Sequence, residues 1–187
     1  MITAMTAPMA QGKLYEVDMR LRPSGTQGPV ATSLASFESY QMGQAWVWEH
    51  LALTRAECVA GPDDLMQEVS GLCNKVLARP RDRADTLHEV AAMRARLATA
   101  KAAGGIWDAK NGPGRLQDIE LLAQAGALLA GTTARDIASG IAHAEQQKIV
   151  SADQAKVLRK VYHTCWALQA ATRLLSPSVL REESLGQ

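Results

Sequence analysis

Hydrophobic and charged residues alternate strictly in one segment of the chain, residues 13–22. Its apolar residues fall on one face and its charged residues on the other, the period-two pattern of a β-strand: Tyr15, Val17, Met19 and Leu21 against Glu16, Asp18, Arg20 and Arg22. Pro23 ends the strand because proline has no N–H for a ladder. A single strand is not stable alone, and few others follow, so we expect the rest of its sheet to be missing from this chain.

Beyond Ser33 the apolar residues recur every three or four positions, the spacing of amphipathic helices. The pattern predicts six helices, at about residues 33–60, 62–79, 82–103, 116–130, 132–147 and 151–175. Gly43 is expected to weaken the first helix, and the fourth is the most hydrophobic and the expected centre. Short connections between the helices predict a mainly α fold, a bundle of about six helices preceded by one strand.

Length and composition suit one globular domain, or one and a fraction. The chain has 187 residues, of which 47% are hydrophobic, and 20 Lys and Arg nearly balance 19 Asp and Glu. This balance gives no reason to expect a nucleic acid partner. No apolar run approaches the roughly 20 residues that span a bilayer, so no membrane association is expected. The three cysteines lack metal-ligand spacing and are expected to be buried, reduced thiols of a cytoplasmic protein.

The polar face of the strand carries the candidate chemistry. Asp18, Arg20 and Arg22 project from one side, with successive Cα atoms about 6.6 Å apart. A carboxylate can bind a divalent cation and guanidinium groups can bind phosphate oxygens, so the face suits a metal–nucleotide site. An exposed Asp–Arg ion pair is the alternative interpretation. The four histidines are scattered, without a metal-binding or triad pattern.

Three segments resemble the glutamine synthetase adenylyltransferase family. Residues 14–25 (LYEVDMRLRPSG) resemble its VDxRLRPxG segment, and residues 45–56 (AWVWEHLALTRA) match its AWxWEHxALTRA run. The second match is closer to the adenylylating half of that bifunctional enzyme than to the deadenylylating half. Lys110 and residues 114–124 (GRLQDIELLAQ) resemble its K…GGLxDIEFxxQ signature, with Arg115 in place of the second glycine and leucine in place of phenylalanine.

The resemblance implies a nucleotidyltransferase core of the polymerase-β kind followed by a helical domain. Such enzymes transfer AMP from ATP to a tyrosine of glutamine synthetase, and their other half removes it. Glutamine and the PII signalling protein set the direction, so glutamine synthetase and PII are the expected partners. Asp18 matches the third catalytic carboxylate, which helps to bind Mg²⁺, and we extend a nucleotide-binding role to Arg20 and Arg22.

The other two carboxylates belong to a G-S-x-D-x-D motif, and residues 1–13 contain no Asp or Glu. The sequence therefore predicts the C-terminal fragment of such an enzyme. ATP and Mg²⁺ serve the complete enzyme, while the fragment is expected to be inactive and to bind neither. Residues 1–12 are interpreted as a disordered start or an expression remnant, 13–32 as the end of the catalytic domain, and 33–187 as the α-helical domain.

Two further hypotheses stay open at this stage. The helices could form a non-catalytic regulatory or partner-binding module, or the helical domain of a PII uridylyltransferase, although the AWxWEHxALTRA run argues against the latter. Asp118 and Glu120 diverge by about 200° on a helix and cannot form a paired site. One of them is expected to cap or pair locally and the other to face solvent or an arginine, and the alternative for Asp118 is a contact with the catalytic domain.

Overall fold

The structure, a computed structural model, describes residues 7, 8, 10, 12, 22–25, 28–101 and 103–175. The chain forms two compact units, Met1–Ala45 and Trp46–Gln187. Only Arg22 of the strand predicted at residues 13–22 lies among the described residues, so the strand stays a prediction. The described residues are mainly α-helical, as the sequence predicts, and include seven helices. The predicted domain boundary at residue 33 is not tested, although the helix that follows it belongs to the first unit.

The first unit contains one helix in its described part, α1 (Leu34–Gly43). Ser33 caps it, because the Ser33 hydroxyl accepts a hydrogen bond from the Ser36 amide at 3.2 Å. The prediction of one helix from Ser33 to about Ala60 is wrong. Helical residues stop at Gly43, and the backbone of Trp46 is extended. The reason is local: the Trp46 amide donates to the Glu49 carboxylate at 2.9 Å, and this contact begins a second helix.

Six helices make up the second unit in its described part: α2 (Val47–Leu53), α3 (Asp63–Leu77), α4 (Arg83–Ala100), α5 (Leu116–Leu129), α6 (Ile137–Gln146) and α7 (Ala152–Leu175). Side-chain caps begin three of them. Asp82 accepts from the Asp85 amide at 2.9 Å, and Asp136 accepts from the Ser139 amide at 2.7 Å. Before α7 a reciprocal pair joins the residues Ser151 and Gln154, as predicted.

The core of the second unit is built around α5, as its hydrophobic sequence predicts. α5 packs most extensively on α6 and also contacts α2, α4 and α7. Two glycines allow the close crossing of α5 and α6. A Cβ at Gly126 would lie 2.5 Å from the Ala144 nitrogen, and a Cβ at Gly140 would lie 2.7 Å from the Ala123 Cβ. No side chain larger than hydrogen fits at either position without moving the helices apart.

α4 is less buried than its pattern predicts. Its apolar stripe is Leu87, Val90, Met93 and Leu97, and all four residues are only half-buried. Thr86 is the one fully buried residue of α4. Shallow grooves therefore remain along the side of α4 that faces α5.

Two arginines at the junction of α3 and α4 bind helix ends, a role that the charge of this segment does not reveal. Arg81 donates to the carbonyls of Leu77 at 2.6 Å and Val76 at 2.8 Å, which closes the C-terminus of α3. Arg83 donates to the carbonyl of Gln147 at 2.6 Å, just beyond α6. These bonds fix the ends of three helices relative to one another.

Candidate functional site

The residues predicted to carry the chemistry are only partly described. Asp18, the predicted catalytic residue and metal ligand, and Arg20, a predicted nucleotide contact, lie outside the described residues. Arg22 is described and is half-buried. The structure therefore leaves the roles of all three as predictions.

Arg22 is held in a compact turn. Its carbonyl accepts from the Gly25 amide at 2.8 Å, and the Gly25 carbonyl accepts from the Gly28 amide at 3.2 Å. The Nε atom of Arg22 donates to the Gly28 carbonyl at 3.2 Å. A Cβ at Gly28 would lie 1.9 Å from the Pro23 carbonyl oxygen, so the turn requires glycine there. The turn therefore binds the Nε edge of the Arg22 guanidinium.

The AWxWEHxALTRA run forms α2 and the start of the following loop. Leu51 and Thr54 are fully buried, at 1% and 0% exposure. The Thr54 hydroxyl donates to the Leu51 carbonyl at 2.6 Å, and the Thr54 carbonyl accepts from the Ala134 amide at 2.8 Å. This segment thus joins α2 to the loop before α6, and its buried residues Leu51 and Thr54 have a structural role.

The loop before α5 is organised by one buried carboxylate. Asp108 is 5% exposed and accepts from the amides of Gly104, Lys110 and Asn111 and from the Asn111 side chain, at 2.9–3.1 Å. Burial alone would raise the pKa of Asp108, but these four hydrogen bonds outweigh it and lower the pKa below its ordinary value. The carboxylate therefore stays ionised and holds the loop closed.

Arg115, which replaces a glycine of the family signature, holds the same loop from its other side. Its Nη1 atom donates to the carbonyls of Gly105 at 2.8 Å and Asn111 at 3.2 Å, and also to the carbonyl of Asp108. The backbone of Arg115 has φ −93°, which any residue adopts. The departure from the signature is thus compatible with the loop.

The first amides of α5 are already used by the loop. The Leu116 amide donates to the Ala109 carbonyl and the Gln117 amide donates to the Lys110 carbonyl, both at 3.2 Å. Free amides at a helix start are what binds phosphate in many nucleotide sites. These two amides at the start of α5 are therefore not available for an anion.

Asp118 pairs locally with α4. Its Oδ1 accepts from the Arg94 Nε at 2.9 Å, and its Oδ2 accepts from the Arg94 Nη2 at 2.7 Å and from the Gly114 amide at 2.8 Å. Burial would raise the pKa of Asp118, but the bonds from Arg94 and Gly114 lower it. Glu120 lies 4.0 Å from Arg55, on a different side of α5. Asp118 thus pairs with Arg94 and accepts a local bond from Gly114, while Glu120 faces an arginine at the limit of ion-pair distance.

No group of three or more His, Cys, Asp or Glu residues in the described ranges could hold a metal ion. The thiols of Cys58, Cys73 and Cys165 are all free, as expected, and half-buried instead of fully buried. Within the described residues no helix combines the length and the apolar character that crossing a membrane requires.

Comparison with known proteins identifies the family. The family model for glutamate-ammonia ligase adenylyltransferase matches residues 1–71. A bifunctional glutamine synthetase adenylyltransferase/adenylyl-removing enzyme from Rhizobium meliloti (strain 1021) is 48% identical over 130 residues, 70% of this chain. The enzyme of that name from Rhodopseudomonas palustris (strain HaA2) is 38% identical over 191 aligned residues and covers 100% of this chain. The chain belongs to the glutamine synthetase adenylyltransferase family.

The chain spans only a small part of its relatives, and a second family model also matches it. The chain spans 13% of the length of the Rhizobium relative and 19% of the Rhodopseudomonas relative. Residues 88–178 also match the family model for the GlnD PII-uridylyltransferase, so the helices from α4 to α7 are similar to those of that family as well.

Proposed function

We propose that this chain is part of the adenylylating half of an enzyme that transfers AMP from ATP to a tyrosine hydroxyl of glutamine synthetase. The other half of the complete enzyme reverses the transfer, and together they regulate nitrogen assimilation. The observation that carries the proposal is the 38% identity over the whole chain to a relative named for both activities. The segment at residues 45–56 favours the adenylylating half. Glutamine synthetase is accordingly the proposed protein substrate.

Asp18 is the proposed Mg²⁺ ligand and catalytic carboxylate of the complete enzyme, and Arg20 and Arg22 are the proposed nucleotide contacts. Support for all three comes from the VDxRLRPxG resemblance at residues 14–25. The described residues do not themselves fit a magnesium site, since they contain no suitable cluster. The assignment of Asp18 therefore rests on its family segment.

The complete enzyme tests this assignment. Asp18→Asn keeps the side-chain size and removes the charge, so it should abolish AMP transfer while the thermal unfolding midpoint stays unchanged. Glu89→Ala is the matched control, because Glu89 is an exposed acid on α4. Full transfer activity in the Asp18 variant would show that Asp18 is not the metal ligand.

The 187-residue chain alone is proposed to be catalytically inactive. One carboxylate does not build a two-metal site, and residues 1–13 supply no Asp or Glu. The chain is incubated with labelled ATP, Mg²⁺ and unmodified glutamine synthetase, beside the complete enzyme as the positive control. Transfer of label above background by the chain alone would contradict this part of the proposal.

A second function is favoured by the match of residues 88–178 to the uridylyltransferase family model. In this proposal the helical unit is a regulatory module that binds the PII protein. The full chain, immobilised, is tested for binding of purified PII and of purified glutamine synthetase. Binding of PII supports the regulatory function, binding of glutamine synthetase alone supports substrate docking, and a passive scaffold binds neither.

A further inference from the structure

A crevice of about 250 Å³ separates the C-terminal half of α4 from the loop before α5. One wall carries Arg94 and Leu97 of α4 and Lys101 just beyond its end, and the other includes Gln117 and Leu121. The lining therefore combines apolar side chains with three side chains that can donate hydrogen bonds: Arg94, Lys101 and Gln117. The crevice lies wholly within the second unit.

Each of these three side chains has donor atoms without an acceptor among the described residues. Arg94 uses Nε and Nη2 for Asp118, and its Nη1 makes no hydrogen bond within the described part of the chain. Among the same residues, the side chains of Lys101 and Gln117 have no hydrogen-bond or ion-pair partner. An anion in the crevice would therefore gain bonds without breaking any that the structure contains.

The charge around the crevice is unlike that of the chain as a whole. Residues 94–118 contain five Lys and Arg and two Asp, a net charge of 5 − 2 = +3, in a chain of net charge +1. Of the two acids, Asp108 is buried and its carboxylate accepts from four donors within the loop. Asp118 lines the crevice and pairs with Arg94. Lys101 therefore leaves the lining with a net positive charge.

The donor set favours a phosphate group over a carboxylate. A carboxylate binds best to the planar fork of a guanidinium, and Asp118 already occupies that edge of Arg94. A phosphate has several oxygens in different directions, so it can accept bonds from a guanidinium, an ammonium and an amide that approach from two walls.

We propose that this crevice binds the phosphate group of a small molecule, through Arg94, Lys101 and Gln117. The proposal does not depend on AMP transfer, because none of the three residues belongs to the predicted catalytic segment. The apolar part of the ligand would contact Leu97 and Leu121.

The test is a titration of the full isotope-labelled chain with inorganic phosphate at constant ionic strength, followed by NMR. We expect saturable shifts of the Gly112 and Gln117 amides, and roughly tenfold weaker binding in Lys101→Ala because one charged donor is lost. Lys156→Ala is the control, an exposed lysine on α7 outside the crevice. Gln117→Met is a second variant. It changes no charge and removes the amide donor, so it should also weaken binding.

The same titration with acetate decides the chemical class. Weaker binding of acetate than of phosphate supports the assignment, and equal or tighter binding overturns it. The absence of saturable shifts with phosphate overturns the proposal, as does a Lys101→Ala chain that folds and binds phosphate as the parent chain does.

Discussion

Replacing Asp118 by alanine tests the structural role assigned to the family signature. The substitution removes two hydrogen bonds from Arg94 and one from the Gly114 amide, and with them the polar link between α4 and the start of α5. It leaves the apolar core unchanged, because Asp118 lies at the rim with 22% of its side chain exposed. The loss of stability therefore measures the polar contacts alone.

The expected loss is about 1.5–2 kcal/mol. The pair with Arg94 is partly screened, since the Arg94 side chain is 49% exposed, and such pairs contribute about 0.5–1 kcal/mol. The amide of Gly114 resembles a helix-cap donor, whose loss costs about 1 kcal/mol. For a chain of this size the sum lowers the unfolding midpoint by roughly 3–8 °C.

The effect also depends on pH in a defined direction. Burial raises the pKa of Asp118 and the bonds from Arg94 and Gly114 lower it by more, so the folded pKa lies below the unfolded one. The contribution is therefore complete above the unfolded pKa and is lost as the pH falls through the folded pKa. The difference between the parent chain and Asp118→Ala should shrink as the pH falls from about 7 to about 3.

Urea unfolding followed by circular dichroism measures both effects. Glu89→Ala, an exposed acid on α4, is the control and should stay within about 0.5 kcal/mol of the parent chain. Arg94→Ala completes a double-mutant cycle, and the coupling with Asp118 should stabilise the fold by about 0.5–1 kcal/mol. A loss below about 0.5 kcal/mol for Asp118→Ala, or one of equal size at both ends of the pH range, would refute the reasoning.

Three further substitutions and one reaction test the described contacts. Gly126→Ala should destabilise the fold by about 1–3 kcal/mol in urea unfolding, because the new Cβ would lie 2.5 Å from the Ala144 nitrogen. Gly71→Ala, in a helix with no atom within 4 Å of the new Cβ, should instead stabilise it by about 0.5–1 kcal/mol, and equal effects would contradict this contrast. Asp108→Ala should cost about 2–4 kcal/mol and expose the loop to limited proteolysis, since four donors lose their acceptor. Burial and then the neighbouring Cys58 raise the pKa of the Cys73 thiol, so Cys73 should react with iodoacetamide more slowly than glutathione does at mildly alkaline pH, as followed by mass spectrometry.

The sequence predicts the start of a helix well where the side chain of a neighbouring residue caps it. Ser33 and the Ser151–Gln154 pair are standard caps, and both begin helices in the structure. The start of α2 is missed because tryptophan is not a typical cap residue, although Glu49 three residues later supplies the contact. Arg81, Asp108 and Arg115 are missed as organising residues because they bind backbone groups, which leave no trace in the hydrophobic pattern.

The two family models match different parts of this chain, and the two parts use their polar residues differently. The adenylyltransferase model matches residues 1–71, which include Asp18 and the turn at Arg22. The uridylyltransferase model matches residues 88–178, which include Asp108, Arg115 and Asp118. These three side chains bind groups of the second unit itself. Because their hydrogen bonds hold the loop and the two helices together, their substitution should change stability in the first place.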